Sequence, residues 1–232
     1  WDRPVSISAE YDGKPLDISG AMYTVDRKSA ATSEEYTLLT GPLPPGQVAV
    51  VLLSDQSPAL DQLGSQVVHC PLGTKAALDF DPIRHGTVIT KAFRIKTDAP
   101  VAAYASYPYG GELGKYPTAT LLLPLSTWET NYIAVSPFDF PFNSWIQVPN
   151  HRWLQIVAAE DDTEVTIKPN ADIGPSPETA AAYQGEAQTY KLSRGQVFQI
   201  MQPGANLTGS PISANKPIGL FGGASATFLS AT

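Results

Sequence analysis

Proline and glycine interrupt this chain so often that a long helix has nowhere to form. The 232 residues include 21 prolines and 18 glycines, and no segment of ten or more holds a 3.6-residue apolar period. Between the interruptions lie short β-type runs: Val48 to Leu53, Thr87 to Ile95, Val101 to Tyr104, Tyr132 to Val135, Leu154 to Ala158, Thr163 to Lys168, Thr189 to Leu192, Gln196 to Met201 and Ile218 to Phe221. Their spacing predicts an all-β fold. In Thr163 to Lys168 apolar and polar residues alternate, which points Val165 and Ile167 inward. Glu160-Asp161-Asp162, caught between two runs, predicts a hairpin turn. Ser176 to Gln184, with Ser176 as N-cap and Pro177 at the first helical position, is the one stretch that admits a short helix.

Charge narrows the partners. Fifteen basic against 22 acidic residues leave a net charge of −7, and charged residues make up only 16% of the chain. Gripping nucleic-acid phosphates or anionic lipid takes concentrated Lys and Arg, so neither is expected as a partner. No apolar run reaches the ~18 residues that span a bilayer, so no membrane insertion is expected. Cys70 is the only cysteine, which excludes an intrachain disulfide and a cysteine-rich zinc site. The chain opens on Trp1 rather than Met, as a processed product or an excised fragment would.

An internal similarity organises the chain. Ile95 to Tyr104 matches Ile212 to Phe221 in the pattern Ile-x4-Pro-[Val/Ile]-[Ala/Gly]-x-[Tyr/Phe], and His85-Gly86-Thr87-Val88 can be set against Arg194-Gly195-Gln196-Val197. Val48 to Asp55 against Leu154 to Asp161 is a weaker third match. The matches predict two tandem, related β-sandwich units, 1–125 and 126–232, with the boundary near Pro124 to Tyr132. Pro100 and Pro217 would each sit at a strand entrance, where a missing N–H costs nothing.

Catalytic and metal-binding constellations are not in view. Gly222-Gly223-Ala224-Ser225-Ala226-Thr227 has Thr227 where a nucleophile elbow needs its second glycine. His69 and Cys70 are neighbours and would point to opposite faces of a strand. His69, His85 and His151 lack metal-ligand spacing. Asp79-Phe80-Asp81 and Glu160-Asp161-Asp162 offer oxygens to a cation without the spacing of a calcium loop, so solvated turns are the simpler reading. No cofactor or metal is expected, and the chain is expected not to be an enzyme.

Aromatic residues carry the recognition signal. Tyr104, Tyr107, Tyr109 and Tyr116 cluster in a Gly-rich stretch, and rigid amphipathic rings give contact area at low entropic cost. Tyr107, Tyr109 and Tyr116 are the candidate ligand-binding residues, with packing over the edge of their own sandwich as the alternative. Phe138, Phe140, Phe142 and Trp145 suit a core plug at the domain joint. Asn206-Leu207-Thr208 is a glycosylation sequon, meaningful only in a secretory pathway.

Trp128-Glu129-Thr130-Asn131-Tyr132, Val157 to Ile167, Leu192 to Gln199 and Leu207 to Gly223 together resemble the IgGFc-binding protein N-terminal domain family over roughly 128–223. The resemblance implies an extracellular or cell-surface β module of the kind found in large adhesive and mucus-type proteins. In that family a His and a Cys tend to follow the double glycine; here Ala224-Ser225-Ala226-Thr227 stands instead. The second copy also stops soon after its motif, as if a C-terminal portion were missing. The leading expectation is a non-catalytic adhesion or recognition module binding a protein or glycan. The alternatives are a self-assembling subunit of a filament, sheath or coat that associates through edge strands, and a carbohydrate-active hydrolase.

Overall fold

The computed structural model describes residues 2–27, 34–55, 70–107, 109, 118–137, 151–202 and 206–224. The fold is all-β. Among the described residues the strands in chain order are β1 Ile7–Tyr11, β2 Lys14–Leu16, β3 Met22–Arg27, β4 Glu34–Leu38, β5 Ala49–Val51, β6 Val88–Lys91, β7 Phe93–Thr97 and β8 Ala103–Tyr107. They continue with β9 Thr118–Leu122, β10 Glu129–Ile133, β11 Arg152–Ala158, β12 Thr163–Ile167, β13 Gln188–Leu192, β14 Gln196–Met201 and β15 Pro211–Ala224. A single 3-10 turn, Leu125–Thr127, is the helical element described. The chain divides into two compact units, residues 1–82 with 93–123, and residues 83–92 with 124–232.

In the first unit, β1 and β2 form a hairpin across Asp12-Gly13, whose φ angles of 56° and 70° belong to a two-residue turn that matches strand twist. β7 adds to the other side of β1, and a second sheet runs β4-β3-β5. Ala9, Ile18, Met22, Leu39 and Leu43 are buried together, with Leu16, Val51 and Ile95 packed against them. The core therefore draws on both sheets. Among the described strands, β8 and β9 pair only with each other.

The second unit is built on strands that turn one shared corner. β11 and β12 occupy one edge of β15 in succession: Arg152 to Ala158 face Ala224 to Ile218, then Val165 to Ile167 face Ala214 to Ile212. β10 takes the other edge of β15. On their far side β11 pairs with β14 and β12 with β13. Three stretches of chain, 152–167, 188–201 and 211–224, thus bend together at 159–162, 193–195 and 215–217. The bend folds the sheet over its own core, so Tyr190 and Phe198, on either side of the corner, have ring centroids 4.4 Å apart. Leu154, Ile156, Val165, Ile167, Leu192, Ile212 and Ile218 fill the space between. Val165 and Ile167 are fully buried, as their alternation requires.

Four local expectations are corrected. Glu160-Asp161-Asp162 is part of the corner and not a hairpin turn, because β11 and β12 pair with β15 and not with each other. Thr87 to Ile95 is two strands that part at Ala92, with β6 bonded to β14 and β7 to β1. Ser176 to Gln184 is not helical; the Ser176 and Thr179 hydroxyls lie 2.8 Å apart across a bridged turn. Pro217 lies inside β15 at the corner, between the residues paired with β12 and those paired with β11. No partner there demands the N–H it lacks.

Candidate functional site

The Tyr-rich stretch begins in β8, one strand of an exposed hairpin. β8 and β9 pair from Ala103 opposite Leu122 to Tyr107 opposite Thr118, and residues 108–117 connect them in the sequence. The strand sequences Ala-Tyr-Ala-Ser-Tyr and Thr-Ala-Thr-Leu-Leu carry no charge. Tyr104 stands directly across from Leu121, and the two are 64% and 49% exposed. Leu123, just beyond β9, is 61% exposed. Most positions of both strands face solvent on both faces of the pair. A two-stranded ribbon with so little burial gains little stability of its own.

Of the candidate residues, Tyr107 ends β8. Tyr109 is half-buried, with its ring edge-on to Tyr36 of β4 at 6.5 Å and its hydroxyl 3.1 Å from that of Tyr36. Tyr36 in turn donates to Glu34 and packs edge-on against Tyr23 at 6.4 Å. Burial, and then the bond to Glu34, hold the Tyr36 phenol well above its usual range. Tyr23 accepts from the Lys75 N–H at 2.8 Å and donates to the Gly20 carbonyl. A three-ring stack thus braces one side chain of the stretch. Tyr23 and Tyr36 were not singled out from the sequence, because nothing local links β3 and β4 to residue 109. Tyr116, Phe138, Phe140, Phe142, Trp145, His69 and Ser225 lie outside the described residues.

Acidic residues at the corner have structural partners. The Arg194 N–H donates to Asp161 Oδ1 at 3.1 Å, and Thr163 Oγ1 to the Glu160 carbonyl at 2.8 Å. Asn215 accepts from the Glu164 N–H at 2.8 Å and donates to the Asp162 carbonyl at 3.1 Å. Lys216 donates to the Asp161 carbonyl. Among the described residues no group of three or more His, Cys, Asp or Glu converges as a metal site. Cys70 is half-buried, and burial with the nearby Asp55 carboxylate pushes its thiol up to about 11, away from nucleophilic use. No helix among the described residues is long and apolar enough to cross a membrane.

Three glycines of β15 let other groups approach closely. A Cβ at Gly219 would stand 2.6 Å from the Trp128 ring, one at Gly223 2.1 Å from the Trp153 ring, and one at Gly222 1.9 Å from the Val135 carbonyl oxygen. Together with the corner residues 160–163, 194–195 and 215–217, these positions make up much of the pattern that carries the family resemblance. No curated protein and no solved structure matches the chain. The profile of the family described as IgGFc binding protein matches residues 118–232, and the segment from β9 onward is thereby identified with that family.

Proposed function

We propose that the chain is a non-catalytic recognition module of an extracellular or cell-surface adhesive protein. It binds a protein, or the glycan of one, through the β8–β9 hairpin and the residues Tyr107, Tyr109 and Tyr116. The observation that carries the reading is the hairpin itself, an uncharged ribbon exposed on both faces with Tyr104 and Leu121 side by side. Contiguous exposed apolar surface of this kind marks interaction sites. The name of the matched family supports a protein partner. The reading includes two related sandwich-like units divided near residues 125–126, with 83–92 contributing to the second.

The test is a binding screen of the whole chain against immunoglobulin, mucins and a glycan array. It is repeated with Tyr104→Ser and Leu121→Ser, which keep the strands and remove the exposed apolar pair. Binding to one ligand that both variants abolish, with unchanged circular dichroism, supports the reading. Binding that survives both variants sinks the site. The same hairpin favours a second reading, self-association through unpaired edges, which sedimentation of the chain alone separates from the first.

A further inference from the structure

Six asparagines occur in the chain, and only Asn206 is followed two residues later by Ser or Thr. The intervening residue is Leu207 and the following one Gly209, so no proline blocks the motif. Asn206 is exposed, whereas Leu207 is 4% exposed and Ser210 fully buried. The chain is thus anchored immediately after an outward-facing amide. Thr208 donates its N–H to Asn206 Oδ1 at 3.0 Å, which closes an Asx turn. Nδ2 of Asn206 donates to no acceptor among the described residues. Two other asparagines of this unit behave differently. Asn170 donates to the Thr208 carbonyl and accepts from Ser210 Oγ, and Asn215 likewise uses both amide atoms at the corner. Among the described asparagines, Asn206 is the one whose amide nitrogen donates to no described acceptor.

We propose that Asn206 is an acceptor site for N-linked glycosylation, with a lipid-linked glycosyl pyrophosphate as the donor. Asn206 Nδ2 bonds to the anomeric carbon of the sugar and loses one proton; the bond from that carbon to the pyrophosphate oxygen breaks, and the lipid pyrophosphate leaves. The Asx turn closes within three residues and needs no distant contact, so the nascent chain presents it before the sheet forms. In the folded protein Thr208 Oγ1 accepts from the Ser136 N–H at 3.0 Å, so transfer precedes docking of this hydroxyl. The attached sugar then projects from the β14–β15 loop without displacing Leu207. The proposal rests on the extracellular reading, since the donor is met on a secretory route.

The experiment secretes the full chain from a eukaryotic host behind a leader peptide and compares peptide masses before and after an amidase that releases N-glycans and leaves aspartate. The expected result is a glycan on the Asn206 peptide, with the asparagine converted to aspartate when the amidase removes it. Asn206→Gln and Thr208→Val abolish it, and Thr208→Ser retains it. Should Thr208→Val fail to fold, Asn206→Gln alone decides, because among the described residues the Asn206 amide makes only the local turn bond. A secreted chain unmodified at Asn206, or a glycan that persists in Asn206→Gln, overturns the proposal while leaving the recognition reading intact. Absence of any binding partner with Asn206 fully glycosylated has the reverse consequence.

Discussion

Ile89 of β6 sits directly opposite Phe198 of β14, and the two occupy equivalent positions when His85-Gly86-Thr87-Val88 is set against Arg194-Gly195-Gln196-Val197. The rest of the register has the same property. Val88 faces Gln199, whose counterpart is Thr90, and Thr90 faces Val197, whose counterpart is Val88. Matched segments therefore pair about a local two-fold axis, which antiparallel pairing permits without altering the alternation of faces. Gly86 and Gly195, both at positive φ of 85° and 78°, turn the chain at equivalent points ahead of the two strands.

The β6 strand is held by more than its ladder. Gln199, 6% exposed, donates Nε2 to the carbonyls of Arg84 at 2.8 Å and Gly86 at 3.0 Å, and accepts from Gln155 Nε2 at 2.8 Å. Gln199→Leu keeps the volume and strands three polar groups near the sheet. We expect a loss of about 2 kcal/mol in urea unfolding, the cost of buried groups left unsatisfied. Protease cleavage should also accelerate within 83–87 before the rest of the unit. A variant as stable as the parent would show that these carbonyls are already well hydrated.

The glycines of β15 should rank by what a methyl group would strike. At Gly222 the obstacle is backbone, the Val135 carbonyl, at 1.9 Å. At Gly223 and Gly219 it is a half-buried tryptophan ring, which can tilt. Gly222→Ala is expected to cost about 3 kcal/mol and Gly223→Ala about 1 kcal/mol, the range seen for overpacking. Tryptophan fluorescence should shift for Gly223→Ala and Gly219→Ala but little for Gly222→Ala. The reverse order of stabilities would contradict the close approach of β15 to Val135.

Strands were legible where the residues alternate on one face, as in Thr163 to Lys168, because the period-2 pattern is local. The corner was not, since a bend shared by three strands is set by cross-strand bonds such as those of Asn215 and Asp161, which no single segment encodes. Asp12-Gly13 is a strong hairpin signal that lay between two unremarkable runs, Ile7 to Tyr11 and the short Lys14 to Leu16. At the candidate site the Tyr-rich loop was visible in composition. Its brace on Tyr36, 73 residues away in sequence, and the exposed pairing of Tyr104 with Leu121 depend on tertiary register.

Alkaline pH should weaken the fold through groups that it keeps neutral. The Cys70 thiol rises from its ordinary value of 9 to about 11, chiefly by burial, and the Tyr36 and Tyr190 phenols are also pushed above 10 by burial. A folded-state pKa above the unfolded one stabilises below the unfolded value and loses that contribution as pH rises through the folded value. For Cys70 the window runs from about 9 to about 11. Alkylation of the native chain by iodoacetamide should accordingly be slow at pH 9 and rise with an apparent pKa near 11, against one near 9 in denaturant. Identical profiles in the two states would place Cys70 in solvent.

The three candidate tyrosines should separate into two kinds. Tyr109 stacks edge-on against Tyr36 and meets its hydroxyl, so Tyr109→Ala is expected to lower stability by about 1 kcal/mol, the scale of an aromatic pair. Tyr109→Phe retains the ring contact and should cost less. Truncation of Tyr107 or Tyr116 removes a ring of the proposed contact surface and should leave the unfolding midpoint nearly unchanged. A tyrosine at the centre of an interface often contributes about 2 kcal/mol or more to binding, so those two variants should weaken partner binding roughly thirtyfold each when measured by surface plasmon resonance. Tyr109→Phe is the control, since it preserves the brace while removing one hydroxyl. If Tyr107→Ala and Tyr116→Ala bind as the parent does and melt several degrees lower, the rings belong to the hairpin's own packing, and the recognition surface must be sought on Tyr104 and Leu121 alone.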